Sequence, residues 1–374
     1  MPGRIDLSKV DFQGNSMKTM ETANCYIVKK PGKYKIPLVY GNAIKNGKNN
    51  ILAYANFYHD DPILSPWISS DKIARAKVIW QDENIINIEN LKFSLGKLYL
   101  KFNITGSIEC AGNAVIGVYD KEGKVIWSWH IWYYPGLLEK VRIGYQEKVK
   151  KKLPKHYNIG VLSAPLGYDG DGKYLYYQWG RKDPFKKYCY KTMWQLISDE
   201  NEKIITTGIQ NPDTFINGLS HPYYNLWDNN PYYNLWGAVP ESINRNGIKS
   251  YFGFTRKSIK TICDPCPRGF KVPGEDIYYY LDKSIFDIID RGPGKRGIVF
   301  YTPDGMILLL QAHGYLSVNY NIIEKITGGY FWTAHRTSKA TCYRFIPDPS
   351  AQVTSCLTDE NISKGFCILP AIDQ

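Results

Sequence analysis

Apolar residues recur at every second position through the first third of this chain. Tyr34, Ile36, Leu38 and Tyr40 alternate with Lys33, Lys35, Pro37 and Val39. Leu98, Leu100, Phe102 and Ile104 alternate with Tyr99, Lys101 and Asn103. A period of two is the mark of a half-buried strand. The runs Asn113–Asp120 and Lys124–Trp132, joined by an Asp-Lys-Glu-Gly turn, predict a hairpin. In its second strand Val125, Trp127, Trp129 and Ile131 share one face, and Ile126, Ser128, His130 and Trp132 the other. With large residues on both faces, that strand is expected inside a sandwich or against a neighbouring domain.

The pattern changes after Pro135-Gly136. The basic run Glu147–His156 reads as a solvated linker. Beyond it, Asp169–Gly172 is a turn followed by the aromatic strand Tyr174–Trp179, and residues 186–261 are rich in turn signals and expected to be mostly loop. Ile277, Tyr280, Leu281, Ile285 and Ile288 recur at helical spacing and predict a helix over Asp276–Arg291, stopped by Gly292-Pro293-Gly294. Short strands follow to the end. The expected fold is mainly β with an α+β second domain. Residues 1–20 form a flexible or strand-exchanging segment, 21–135 a β-sandwich, 136–156 a basic linker, and 157–374 the second domain.

Composition adds one unusual feature. Of 374 residues 44% are hydrophobic and 22% charged, enough for packed cores. The 30 Tyr, 14 Phe and 10 Trp make 14% aromatic, a supply of rigid, amphipathic contact groups. The formal charge of +12 suits nucleic acid, anionic glycans or a cell surface without choosing among them. Met1–Gly14 holds no apolar core of signal-peptide length, and no window reaches the roughly 18 apolar residues of a membrane span.

Reactive chemistry is hard to assemble from the sequence. The histidines His59, His130, His156, His221, His313 and His335 do not fall at metal-ligand spacing, and His130 is expected as a packed strand residue. There is no nucleophile elbow, phosphate loop or His-Glu-x-x-His. Cys263-x-x-Cys266 lacks the second pair of a zinc site. Asp169–Gly172 lacks the later ligands of a calcium loop and reads as a plain turn. No catalytic residue, metal or cofactor is therefore expected. Pro-Tyr-Tyr-Asn-Leu-Trp occurs twice, at Pro222–Trp227 and Pro231–Trp236. It reads as anchors under a long loop, as an exposed stacking platform through Tyr224, Trp227, Tyr233 and Trp236, or as a duplication without a role of its own.

Several blocks resemble known proteins. Glu21–Ile44, Gly112–Trp132 and Tyr176–Phe185 look like stretches of Bacteroidales surface and fimbrial-tip proteins. Cys263–Pro273, Gly328–Arg336 and the terminal KGFCILPAI resemble the Fibrobacter succinogenes major paralogous domain, which has a C-type-lectin-like fold. Related domains are targets of diversity-generating retroelements, and some resemble tip adhesins of type V pili. The resemblance implies an exported adhesin or pilus-tip-type subunit on the surface of a Gram-negative bacterium. Its partners would be other pilus or surface-assembly subunits and a host, bacterial or glycan ligand. Nucleic acid is not expected, and a membrane only through an anchor or pilus. By that analogy the ligand face comprises Trp332, His335, Arg336, Ser338, Tyr343, Arg344, Asp348 and Asn361. Export would also allow bridges between Cys266 and Cys367 and between Cys342 and Cys356. A carbohydrate-capture lipoprotein of a glycan-uptake system, or an enzyme on the same scaffold, are the alternatives.

Overall fold

The structure is a computed structural model that describes residues 3–54, 63–82, 88–94, 98–105, 109–142, 145–146, 151–152, 160–186, 192–194, 202–217, 235–237, 260–282, 286–290, 296–301, 307–317, 323–324, 328–336, 340–347 and 353–373. It is mainly β, with several small sheets and little helix. The first half holds eight principal strands: β1 (Ile5–Asp6), β2 (Cys25–Val28), β3 (Gly32–Pro37), β4 (Arg75–Gln81), β5 (Ile88–Ser94), β6 (Tyr99–Ile104), β7 (Gly112–Tyr119) and β8 (Val125–Tyr133). They form two four-stranded sheets, ordered β1-β3-β6-β5 and β2-β8-β7-β4. The alternation expected in β6 is observed: Leu100, Phe102 and Ile104 are buried, whereas Tyr99, Lys101 and Asn103 are only half-buried. The hairpin β7–β8 is also observed, with Val118 opposite Trp127 and Ala114 opposite Ile131.

The second half adds β9 (Lys140–Arg142), β10 (Gly160–Leu162), β11 (Tyr177–Gln178), α1 (Glu202–Gln210), β12 (Phe270–Lys271), α2 (Glu275–Asp282), β13 (Phe286–Asp290), β14 (Arg296–Tyr301), β15 (Ile307–Gln311), β16 (Tyr315–Leu316), β17 (Ile323–Glu324), β18 (Gly329–Arg336), β19 (Ala340–Pro347), β20 (Val353–Glu360), β21 (Gly365–Phe366) and β22 (Ala371–Ile372). Its sheets are ordered β9-β10-β22-β12, β11-β21-β16-β17, β13-β14-β15 and β18-β19-β20.

Two hydrophobic cores explain how these small sheets cohere. The first spans both halves, from Leu7 and Trp129 to Trp332 and Ile368. The second lies under α2 and the β14–β15 pair, among Ile277, Tyr278, Ile298 and Leu310. Between them run segments whose alternate side chains enter opposite cores. Tyr330, Trp332, Phe366 and Ile368 point into the first; Phe331, Cys367 and Leu369 point into the second. Tyr174 and Tyr176 likewise enter the second core, and Leu175 and Tyr177 the first. A strand buried on both sides has no solvent face.

Four expectations change. Residues 5–6 are held in a sheet of this chain rather than loose: β1 pairs in parallel with β3, and Arg4 donates to the Phe102 carbonyl at 2.7 Å. The stretch assigned to a linker is structured where it is described. Leu138 and Val141 are buried, β9 pairs with β10, and Tyr145–Gln146 pairs with Lys151–Lys152. The long loop contains α1, whose Ile205 and Ile209 face the first core; Thr206, Thr207 and Gly208 hide it from a propensity reading. The helix ends at Asp282, because Phe286–Asp290 pairs with β14 and tertiary pairing overrides the helical spacing of Ile285 and Ile288.

The halves are tied by polar groups as well as by the shared core. Asn24 Nδ2 donates to the carbonyls of Ile262 (2.5 Å) and Asp264 (2.8 Å), and Asn42 Nδ2 to those of Thr261 (2.6 Å) and Asp264 (3.0 Å). Gly41 passes so close that a Cβ there would stand 2.5 Å from the Ile262 carbonyl, and its φ is +38°. The second face of β8 is covered by the other half, as its sequence implied. Ser128 meets Asp183 at 2.7 Å, and Trp132 Nε1 donates to the Tyr168 carbonyl at 2.9 Å.

Candidate functional site

The rings expected on the ligand face are not at the surface. Trp332 is fully buried, donates from Nε1 to the Tyr177 carbonyl (2.7 Å) and packs on Phe366 at 4.2 Å. Tyr343 stacks on Tyr278 at 4.9 Å with an interplanar angle of 10°. Trp236, from the second copy of the repeated hexapeptide, is buried against Trp179 at 5.4 Å. The physical reason is the double core: Trp332 occupies one side of its strand and Tyr343 the other side of the next.

The polar candidates fare differently. His335 Nδ1 approaches Glu275 Oε1 at 3.5 Å, beside the start of α2. Asn361 follows β20 at the same end of the sheet, where its side chain accepts from the Ser363 amide at 2.9 Å. Arg344 lies farther along, opposite Cys356, with Nη2 3.9 Å from its sulfur. Arg336 pairs through its backbone with Ala340. Ser338, Asp348, Tyr224, Trp227 and Tyr233 lie outside the described residues.

The four cysteines proposed for bridges are free thiols. Cys266 belongs to the first core and Cys367 to the second, with the shared layer between them. Cys342 stands opposite Thr358, and Cys356 opposite Arg344, so that pair is two residues out of register. Burial pushes the Cys266, Cys342 and Cys367 thiols up, away from reactive thiolate.

The Cys-Asp-Pro-Cys turn has a structural role that rests on two groups sequence reading passed over. Asp264 is fully buried and accepts from the amides of Cys266 and Val272, each at 2.8 Å. Lys260 donates to the carbonyls of Cys266 (2.9 Å), Pro267 (2.7 Å) and Phe270 (2.6 Å). Burial raises the Asp264 carboxyl pKa, and the Lys260 charge opposes that shift. A charge embedded in a Cys- and Pro-rich apolar turn was the available signal.

Ser128, Lys182 and Asp183 also meet, as the parts of a nucleophile would. Lys182 Nζ lies 2.8 Å from both Asp183 oxygens and 3.0 Å from the Ser128 carbonyl. All three side chains are buried, with the Trp127 ring 4.6 Å from the ammonium. Burial lowers the Lys182 pKa, and Asp183 resists the shift. The cluster is closed off from solvent and ties β8 to residues 182–183 beneath Trp127.

Directly above it lies an open groove of about 510 Å³. One wall is residues 63–72, with Leu64, Trp67, Ser69, Asp71 and Lys72; the Tyr40 ring adjoins it. The hairpin turn contributes Asp120, Lys121 and Glu122, and β8 contributes Val125, Ile126 and Trp127. The end of α1 closes it with Ile209 and Gln210. Each part is fixed. The Ile68 amide donates to the Leu38 carbonyl and that of Tyr40 to the Pro66 carbonyl, both at 2.9 Å. Tyr40 packs edge-on against Trp127 at 5.3 Å. Arg181 caps α1, donating to the carbonyls of Gly208 (2.9 Å) and Asn211 (2.8 Å), where a cation complements the helix dipole. Ser69 donates to Asp71 and holds its carboxyl below the usual range. Sequence reading missed this groove because its lining comes from four segments far apart in the chain.

Among the described residues no cluster of His, Cys, Asp and Glu is arranged to hold a metal, and no helix is long and apolar enough to cross a membrane. Compared with protein-family models, curated proteins and solved structures, the chain matches none.

Proposed function

We propose that this chain is a surface-binding protein of the adhesin or pilus-tip type, and that its ligand sits in the groove between residues 63–72, the β7–β8 turn and the end of α1. The observation that carries this reading is a concave, aromatic and polar surface built on a fixed floor. Trp127 cannot give way, because Asn24 accepts from its Nε1 at 3.2 Å and the Lys182–Asp183 pair supports it from below. A volume of about 510 Å³ falls in the usual range for ligand pockets. The block resemblance to Bacteroidales tip proteins supplies the setting: an exported chain, docked to other subunits, that grips a host, bacterial or glycan ligand. The half-exposed His335, Arg344 and Asn361 would form a second, outer contact on the late strands.

Fluorescently labelled protein on bacterial and epithelial cells tests the reading. Wild type should label one of them, and Trp67→Ala should label it at least severalfold less. Equal labelling by the two proteins would remove the groove from the account. Capture of soluble polysaccharide without cell labelling would favour the alternative of a glycan-uptake lipoprotein.

A further inference from the structure

The charge of the groove separates it from the rest of the surface. The chain carries +12 overall, yet three carboxylates (Asp71, Asp120 and Glu122) line the groove against two ammonium groups, Lys72 and Lys121. An anionic ligand drawn to the basic surface would meet a slightly negative pocket on arrival. What remains on offer is ring faces and hydrogen-bonding groups. Trp67 is half-buried, and its indole N–H makes no hydrogen bond to any described residue. The same holds for the Glu122 carboxylate and the Gln210 amide. These three lie on the three different walls. An aromatic ring that shares one groove with a carboxylate and an amide is complementary to a pyranose, which presents C–H groups on its faces and hydroxyls round its edge.

Resting on the reading of the groove as the ligand site, we infer that its ligand is a neutral, hydroxyl-rich carbohydrate: a short oligosaccharide or chain end stacked on Trp67, with hydroxyls donating to Glu122 and accepting from Gln210. The concavity is suited to a small ligand, whereas specific protein partners need about 800 Å² of surface on each side. Leu64, 89% exposed at the rim, would cover the outer sugar face.

Titration calorimetry of the full chain against neutral and sulfated oligosaccharides tests this. The expected result is binding to at least one neutral oligosaccharide, with affinity unchanged between low and high salt. Trp67→Ala should weaken it about tenfold, Trp67→Phe should keep most of it, and Glu122→Gln should lose part. Thermal melts of each variant separate loss of contact from loss of fold. Binding confined to sulfated or uronic sugars, with steep salt dependence, would overturn the inference. So would failure of every sugar alongside Trp67-dependent cell labelling; in that case the groove stands and the ligand class falls. Sugar binding that survives Trp67→Ala unchanged places the sugar elsewhere and also overturns it.

Discussion

Strand β6 and strand β18 look alike in sequence but have opposite surroundings. In β6 every second residue faces a core and the rest stay half-exposed, so a period of two tells inside from outside. In β18 Tyr330, Trp332 and Ala334 enter one core while Phe331 enters another. The aromatic wealth of the late strands therefore serves packing. Tyr40 and Trp67, half-buried on the groove, come instead from the first half, outside the doubly covered late strands. A dense aromatic run marks a ligand face only after its second side has been shown to be uncovered.

The sharpest way to break this contrast is to remove one ring from each region. Trp332→Ala should cost about 3–5 kcal/mol in urea unfolding, as large-to-small changes in cores do. Trp67→Ala, half-buried, should cost roughly 1 kcal/mol or less. Equal costs would mean that the late rings are not core.

The polar seam gives the second test. Asp264→Ala leaves the buried amides of Cys266 and Val272 without their charged acceptor and should cost about 3–5 kcal/mol. Lys45→Ala removes the pair with Asp373 (2.7 Å), whose lysine is 41% exposed, and should cost under about 1 kcal/mol. If the two losses were alike, the Lys260–Asp264 turn would not be holding the halves together.

A pH titration sharpens the case of β8, which is covered on both sides. Asn113 Nδ2 donates to the Gly167 carbonyl at 3.0 Å, so its oxygen accepts, and His130 Nε2, 2.9 Å away, carries the proton. Burial pushes the His130 pKa from 6.5 down to about 3. The unfolded chain takes up that proton near pH 6.5 and the folded chain only near 3. This contribution is complete above pH 6.5 and is lost as pH falls towards 3, on the order of 1 kcal/mol per unit. His130→Gln should flatten that slope in melts between pH 7 and 4; an unchanged slope would assign it to other groups.

How much of this was legible follows from the same contrast. The β7–β8 hairpin, the alternation of β6 and the coverage of both faces of β8 were readable, because local period and side-chain size decide them. The end of α2 was not, since Ile288 fits a helix by spacing and a strand by pairing with Ile298. The burial of Trp332 and Tyr343 was not, since one strand cannot show what covers its far side. The groove was not, because Trp67, Glu122 and Gln210 meet only after folding.

Thiol labelling gives a smaller but clean check. Of the described cysteines Cys110 is exposed; Cys25, Cys263, Cys266, Cys342 and Cys367 are buried. A bulky maleimide should modify Cys110 within minutes and the buried five only after unfolding. Fast labelling of Cys367 would open the second core.

Scanning calorimetry tests the central claim, that both halves fold as one frame around a shared core. One transition is expected, with the calorimetric and van't Hoff enthalpies equal. Lys182→Met and Gly41→Ala should each move that single transition as a whole. Two separable transitions, or a variant that melts one half alone, would contradict it.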